Sequence, residues 1–167
     1  MSSVFAAGQS LKSSSIPKQL LQNPLGPMDP DKKLYLVISL PVRDKAQLDR
    51  FLQDLYDPQS PDYRHYLTPQ EFAQRFAMTQ ADYNVVTAFF KNQGFEVKTS
   101  PSRRLLDIDG SVKTIESTFH VSLNLYNDTI GHRTFYASDK TPSVDLNIPL
   151  LNVTGLDNYT KFRPLRP

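Results

Sequence analysis

The feature that most constrains the fold is a repeated change of hydrophobic period along the chain. In the run LYLVISLPV, Leu34, Leu36, Ile38 and Leu40 alternate with Tyr35, Val37 and Ser39. A period of two sends successive side chains to opposite faces, so residues 34–42 read as a strand. Both faces are fairly apolar, which suits a central place in a sheet. Pro41 ends the run, since it cannot donate to a ladder. The period then changes. Asp44 caps a helix in which Leu48, Phe51, Leu52, Leu55 and Tyr56 recur at helical spacing and form one stripe for burial. Asp57-Pro58 stops it.

The same switching continues downstream. Thr68-Pro69-Gln70-Glu71 combines a capping box with Pro at the first helical position. A short helix with Phe72 and Phe76 on one side follows from it. Thr79 caps another helix, with Asp82 in the place of the box glutamate. Tyr83, Val86, Phe89 and Phe90 form its apolar face, and Gly94 is its C-terminal stop. Residues 95–99 and 104–109 alternate on either side of the turn Ser100-Pro101-Ser102. Gly110-Ser111 opens a short helix with Val112, Ile115 and Phe119 inward. Val121, Leu123 and Leu125 alternate in a strand over 120–126, and 133–137 reads as one more.

The main helices are therefore expected over 45–56 and 80–93, among strands at 34–42, 95–99, 104–109 and 120–126. With the inserted short helix set aside, this is the split β-α-β order of an α+β, ferredoxin-like fold. It predicts an antiparallel sheet with helices on one face and the other face free. Alternation assigns Leu36, Ile38, Leu40, Leu106, Ile108, Val121, Leu123 and Leu125 to the helix side. Tyr35, Val37, Leu105, Asp107, Asp109, Asn124 and Tyr126 are the candidates for the free face. A sheet face that apolar side chains leave uncovered invites a partner.

Composition narrows the functions. The 167 residues include ten Phe and eight Tyr, enough for a real core. The absence of Cys removes disulfides, thiol nucleophiles and Cys-based zinc sites. A net charge of +2 gives no electrostatic case for nucleic acid or for an anionic membrane. No apolar run approaches the roughly 18 residues that span a bilayer. The start, MSSVFAAGQS, lacks a basic region and is not read as a signal peptide. Residues 1–33, rich in Ser and then in Pro up to Pro30, read as a flexible leader. Asp107 and Asp109 share a strand face and resemble a carboxylate pair, but a solvated or partner-facing surface is the simpler reading. His65, His120 and His132 lack the spacing of metal ligands. Arg103-Arg104 reads as a surface pair flanking a turn. Three Asn-x-Thr triplets, at Asn127, Asn152 and Asn158, are short enough to arise by chance.

The residues also carry a family resemblance. Ser60-Pro61-Asp62-Tyr63, His65-Tyr66-Leu67-Thr68-Pro69-Gln70-Glu71-Phe72 and Arg75-Phe76 resemble the S-P-x-Y-x-x-Y-L-T-P-x-E-F-x-x-x-F signature of the pro-kumamolisin activation domain. That domain is the propeptide of sedolisins, the serine-carboxyl peptidases. The likeness continues through Ala88 to Gly94, through Gly110-Ser111-Val112 with Ile115-Glu116 and Phe119, and through Arg133 to Ala137. It closes at Val153-Thr154-Gly155-Leu156-Asp157, similar to the family's V-x-G-L-D. It departs at Ala77-Met78, where many relatives have Pro, and in the less Pro-rich 144–151.

The resemblance implies a subtilisin-propeptide-like fold over 34–154, with 155–167 as a linker toward a catalytic domain that this sequence does not contain. It implies an inhibitor and intramolecular chaperone of a secreted, acid-acting serine endopeptidase, released by self-cleavage. The tail GLDNYTKFRPLRP, with Lys161, Phe162 and Arg163, is the expected processing linker. The partner implied is the chain's own sedolisin catalytic domain, which is expected to bind calcium. No cofactor and no metal are expected in this chain. No catalytic residue transfers, because neither a G-T-S nor a G-x-S-x-G nucleophile segment is present. Two other readings remain. A free-standing protease inhibitor needs no catalytic domain. A ferredoxin-like RNA-binding module needs stacking aromatics where RRLLDIDG places two acids.

Overall fold

A computed structural model describes residues 8–13, 16–128 and 131–160. Strand β1 (Gln9–Ser10), a short 3-10 helix (Lys18–Leu21) and β2 (Gly26–Pro27) precede β3 (Lys33–Ser39). Helices α1 (Lys45–Tyr56), α2 (Pro69–Arg75) and α3 (Gln80–Asn92) follow. Then come β4 (Glu96–Thr99), β5 (Leu105–Ser111), α4 (Val112–Phe119), β6 (Leu123–Asp128), β7 (Arg133–Ser138), β8 (Ser143–Val144) and β9 (Asn152–Thr154).

Each α-helix starts where a side chain answers an orphan amide. Asp44 Oδ1 accepts from Gln47 N at 2.9 Å. At α2 the box is reciprocal: Thr68 Oγ1 accepts from Glu71 N at 3.3 Å and Glu71 Oε2 accepts from Thr68 N at 2.7 Å. Those Thr68 donors hold the Glu71 carboxyl below its ordinary pKa. Thr79 and Ser111 cap α3 and α4 one way only, their hydroxyl oxygens accepting from Asp82 N and Thr114 N. Helix α3 stops at Gly94, whose φ of +95° is open to glycine at little cost.

The main sheet has the order β4-β5-β3-β9, and every neighbouring pair is antiparallel. The first and third strands of the βαββαβ series are central, and the second and fourth are edges. This is the ferredoxin-like arrangement, with one substitution. The fourth strand was expected over 120–126, but Asn152–Thr154 takes that place beside β3, with Ile38 opposite Val153. Instead β6 pairs with β7 over six residue pairs and with β2 on its other edge, forming a second sheet, β2-β6-β7. A hairpin partner close in sequence closes with little loop entropy, so β6 turns to β7.

The main core lies between the sheet and α3 and α4. Leu36, Ile38, Leu106, Ile108 and Val153 meet Tyr83, Val86, Phe90, Ile115 and Phe119, all buried. Helix α1 packs apart from this core. Its Phe51 and Leu55 form a satellite with Phe76 and the half-buried Phe72. The stripe expected on α1 is narrower than its spacing suggests: Leu52 is 44% and Tyr56 72% exposed, and the cluster with Val42, Leu67, Phe72 and Phe76 takes only Leu48, Phe51 and Leu55 from the helix.

The leader also differs from expectation in its described part. Leu11 and Met28 belong to the main core, and β1 pairs with β8. Ile16, Leu20 and Leu21 lie against Tyr126, Phe135 and Ala137 of the second sheet. These apolar residues are scattered without a period, so pattern alone does not mark them as structural.

Candidate functional site: the open face of the main sheet

Register sets which side chains share the face turned away from the helices. Tyr35 stands opposite Asp109, which stands opposite Glu96. In the next row Lys98, Asp107, Val37 and Thr154 line up across four strands. Leu105 stands opposite Ser39, and Ser39 opposite Asn152. Alternation explains the contrast between faces. Leu36, Ile38, Leu106 and Ile108 are fully buried, while Tyr35 is 52% and Leu105 43% exposed. Val37, Asp107 and Asp109 are half-buried.

The charges on this face are arranged in pairs. The Tyr35 hydroxyl hydrogen-bonds to Asp107, and that bond raises the phenol's pKa. Lys33 Nζ donates to Glu96 Oε1 at 2.9 Å. The pairing raises the Lys33 ammonium pKa and lowers that of the Glu96 carboxyl. Both groups are exposed, so the pair contributes little to folding. The result is a centre of Tyr35, Val37 and Leu105 bordered by carboxylates and two lysines.

The structure brings together five of the seven residues assigned to this face: Tyr35, Val37, Leu105, Asp107 and Asp109. Asn124 and Tyr126 are not among them. They lie on β6, in the other sheet, with Asn124 half-buried opposite Ala137. Tyr126 is only 2% exposed, with its ring centroid 5.5 Å from that of Phe135. The face of the second sheet on which it lies is covered by the chain's own Ile16, Leu20 and Leu21. Lys161, Phe162 and Arg163 lie outside the described residues. Lys33, Glu96, Lys98 and Thr154 join the face without having been singled out. The alternation of Glu96–Thr99 and the tight turn before β5 carried that signal for the residues of β4.

The remaining candidates have structural uses. Arg103 donates to Ala73 O at 2.5 Å and Gln80 Oε1 at 2.9 Å, and Arg104 Nε donates to Leu40 O at 2.9 Å. The pair therefore ties the β4–β5 turn to α2, α3 and the end of β3. His120 is not isolated. Its Nε2 lies 3.4 Å from Asp145 Oδ2 and its Nδ1 3.3 Å from Ser143 Oγ, the order of a catalytic triad. The same Nδ1 lies 3.1 Å from the Ser143 carbonyl oxygen. A nitrogen that donates to that carbonyl has no lone pair with which to take the hydroxyl proton, so the cluster ties the end of α4 to β8. Among the described residues no three or more acidic or histidine side chains gather as a metal requires. No described helix is long and apolar enough to cross a membrane.

Comparison with known proteins agrees with this architecture. Residues 23–159 match the family model described as the pro-kumamolisin activation domain. The chain belongs to the pro-kumamolisin activation domain family. It is similar to sedolisin of Pseudomonas sp. (strain 101), 30% identical over 134 residues, covering 78% of this chain and 22% of that protein. Xanthomonalisin of Xanthomonas sp. (strain T-22) is 28% identical over 136 residues, covering 80% of this chain and 16% of the relative. A tripeptidyl-peptidase of Arthroderma otae is 24% identical over 116 residues, 68% of this chain and 17% of its own length. The activation domain thus spans about a fifth of the length of the curated relatives it matches. The matched region takes in the three- and four-stranded sheets and the four described α-helices.

Proposed function

We propose that this activation domain is the propeptide of a secreted sedolisin-type endopeptidase, acting as its folding template and its inhibitor. The observation that carries this reading is the bare face of the main sheet. Tyr35 and Leu105 stay exposed there, although the chain covers its second sheet with its own residues. An apolar centre with a charged rim is the anatomy of a docking surface. Family membership supplies the partner: the peptidase part that makes up most of each curated relative. The domain contributes no catalytic group to that partner and occupies a surface of it.

Release in acid follows from the charges on the same face. Within the chain, pairing with Lys33 depresses the Glu96 pKa, so this pair stabilises the fold above about pH 4.5 and is lost as pH falls through the lower folded value; release itself calls for carboxylates of this face paired with cations of the peptidase. Asp107 and Asp109 add two further carboxylates. Each exposed pair is weak, so several must act together. Cutting the tail completes release, because a tethered domain rebinds at high effective concentration.

The test adds the purified chain to a mature sedolisin-type peptidase and follows peptide hydrolysis. Saturable inhibition near neutral pH that weakens toward pH 4 is expected. Full activity at saturating chain contradicts the inhibitor role.

A further inference from the structure

The last described stretch of the chain is held more firmly than a linker requires. Gly155 has a φ of +102°, and a Cβ there would lie 2.5 Å from Tyr35 O, so the backbone is pressed against the central strand β3. Leu156 is buried. Asp157 bridges Ala137 in antiparallel fashion, extending the edge of β7. Asn158 N donates to Tyr136 O at 3.2 Å, and Asn158 Oδ1 accepts from Tyr136 N at 2.8 Å. The Tyr136 hydroxyl donates to Gly155 O at 3.1 Å.

One guanidinium closes this arrangement. Arg133 Nη1 donates to Asn158 O at 3.1 Å, and its Nη2 donates to Tyr159 O. Its plane lies 5.5 Å from the Tyr159 ring centroid, and that ring is 5.1 Å from Phe135. Arg133 is itself aimed by Asp128, whose Oδ2 lies 3.6 Å from Nε. The other oxygen of Asp128 accepts from Gly131 N at 2.9 Å, and the residue is buried. A forked cation that satisfies two successive carbonyls fixes a backbone better than a point charge can.

A protease binds its substrate as an extended segment through free main-chain N–H and C=O groups. In this stretch the carbonyls of Gly155, Asn158 and Tyr159 and the amide of Asn158 are committed to β7 and to Arg133, the amide of Tyr159 is held by Asp157 Oδ1, and Leu156 is buried. We propose that Arg133, positioned by Asp128, is a clamp that withholds the bonds from Gly155 to Tyr159 from proteolysis, so that processing of this chain is confined to residues after Tyr159. The proposal gives the propeptide reading a defined end to its folded part, and it rests on that reading only for its biological purpose.

The test uses brief digestion of the 167-residue chain by chymotrypsin, followed by mass spectrometry of the C-terminal fragments. Its apolar specificity pocket accepts Phe, Tyr and Leu. The tail offers it Phe162 and Leu165 beyond the clamp and Leu156 and Tyr159 within it. The wild type is expected to be cut after Phe162 and spared after Tyr159. Arg133→Gln should speed the Tyr159 cut on the order of tenfold by raising the fraction locally open, with the Phe162 rate unchanged. Arg133→Lys keeps the charge beside Asp128 but loses the fork, and should also speed it, which covers the case that Arg133→Gln does not fold. Equal cutting after Tyr159 and Phe162 in the wild type overturns the clamp. So do unchanged rates in both variants. Chymotrypsin has no part in the proposed function, so a chain that shows this pattern yet fails to inhibit a sedolisin-type peptidase keeps the clamp and loses the propeptide role.

Discussion

The two larger sheets of this domain solve the same problem in opposite ways. In the second sheet, Tyr126 and Phe135 are roofed by Ile16, Leu20, Leu21 and Tyr159, drawn from both ends of the described chain. In the main sheet the helices cover one face, and Tyr35, Val37 and Leu105 remain on the other. The chain therefore has the means to cover apolar strand residues and uses them selectively. Bareness on the main sheet is thus selective between the two sheets, and it motivates the proposed docking there.

Truncating the equivalent aromatic in each sheet breaks this contrast most strongly. Tyr126→Ala should cost about 3–5 kcal/mol, as for large aromatic truncations in cores. Tyr35→Ala should leave the urea midpoint of the isolated chain unchanged. Similar losses for both would mean that Tyr35 is a core residue and that the face is not free.

The next largest effect is expected at the junction of the two regions. Gly155 sits between β9 of the main sheet and the segment bound to β7. Gly155→Ala forces a side chain to a positive φ and against the Tyr35 carbonyl. A loss of roughly 1–3 kcal/mol or more is expected by equilibrium unfolding. A neutral substitution would show that β9 can shift away from β3.

Titration sharpens the comparison further. The Tyr35 phenol is raised by its hydrogen bond to Asp107, whereas Tyr83 and Tyr136 are raised chiefly by burial. The Tyr35 contribution is present below the unfolded tyrosine pKa of about 10 and lost as pH rises through the higher folded value. Absorbance titration of Asp107→Ala should lower the Tyr35 phenol most, lower Tyr83 only slightly, since Asp107 is a minor cause there, and leave Tyr136 in place. No change would remove the Tyr35–Asp107 bond from the account. The smallest effect belongs to Lys33 and Glu96. Their pair should stabilise only between the depressed Glu96 and the raised Lys33 values, and adding salt should erase the difference between wild type and Glu96→Gln.

Much of this was legible because the signals are local. Asp44, with Asp57-Pro58 at the far end, bounds α1, and Thr68 with Glu71 starts α2, each through bonds between residues three or four apart. The alternation over Leu34 to Ser39 and Leu105 to Asp109 carries both central strands and hence most of the open face. What escaped was non-local. Asn152–Thr154 is too short to display a period and is a strand only because Ser39, Ile38 and Val37 lie beside it. Tyr126 alternates correctly, but on which sheet it does so depends on the choice between β7 and the edge of β3. Most of the roof over it, Ile16, Leu20 and Leu21, comes from residues more than a hundred positions away, and no pattern joins Leu20 to Phe135.

Paired surface variants read most directly whether the bare face receives the peptidase. Tyr35→Ala/Leu105→Ala alters the open sheet face, and Leu52→Ala/Tyr56→Ala removes comparably exposed apolar groups from α1. Both should keep the fold of the wild type by circular dichroism. Inhibition of a mature sedolisin-type peptidase near neutral pH should weaken roughly ten- to a hundredfold for the sheet pair, the scale of a few central contacts, and stay unchanged for the helix pair. Unchanged inhibition by a well-folded Tyr35→Ala/Leu105→Ala chain, or a loss confined to Leu52→Ala/Tyr56→Ala, would contradict docking through the main sheet.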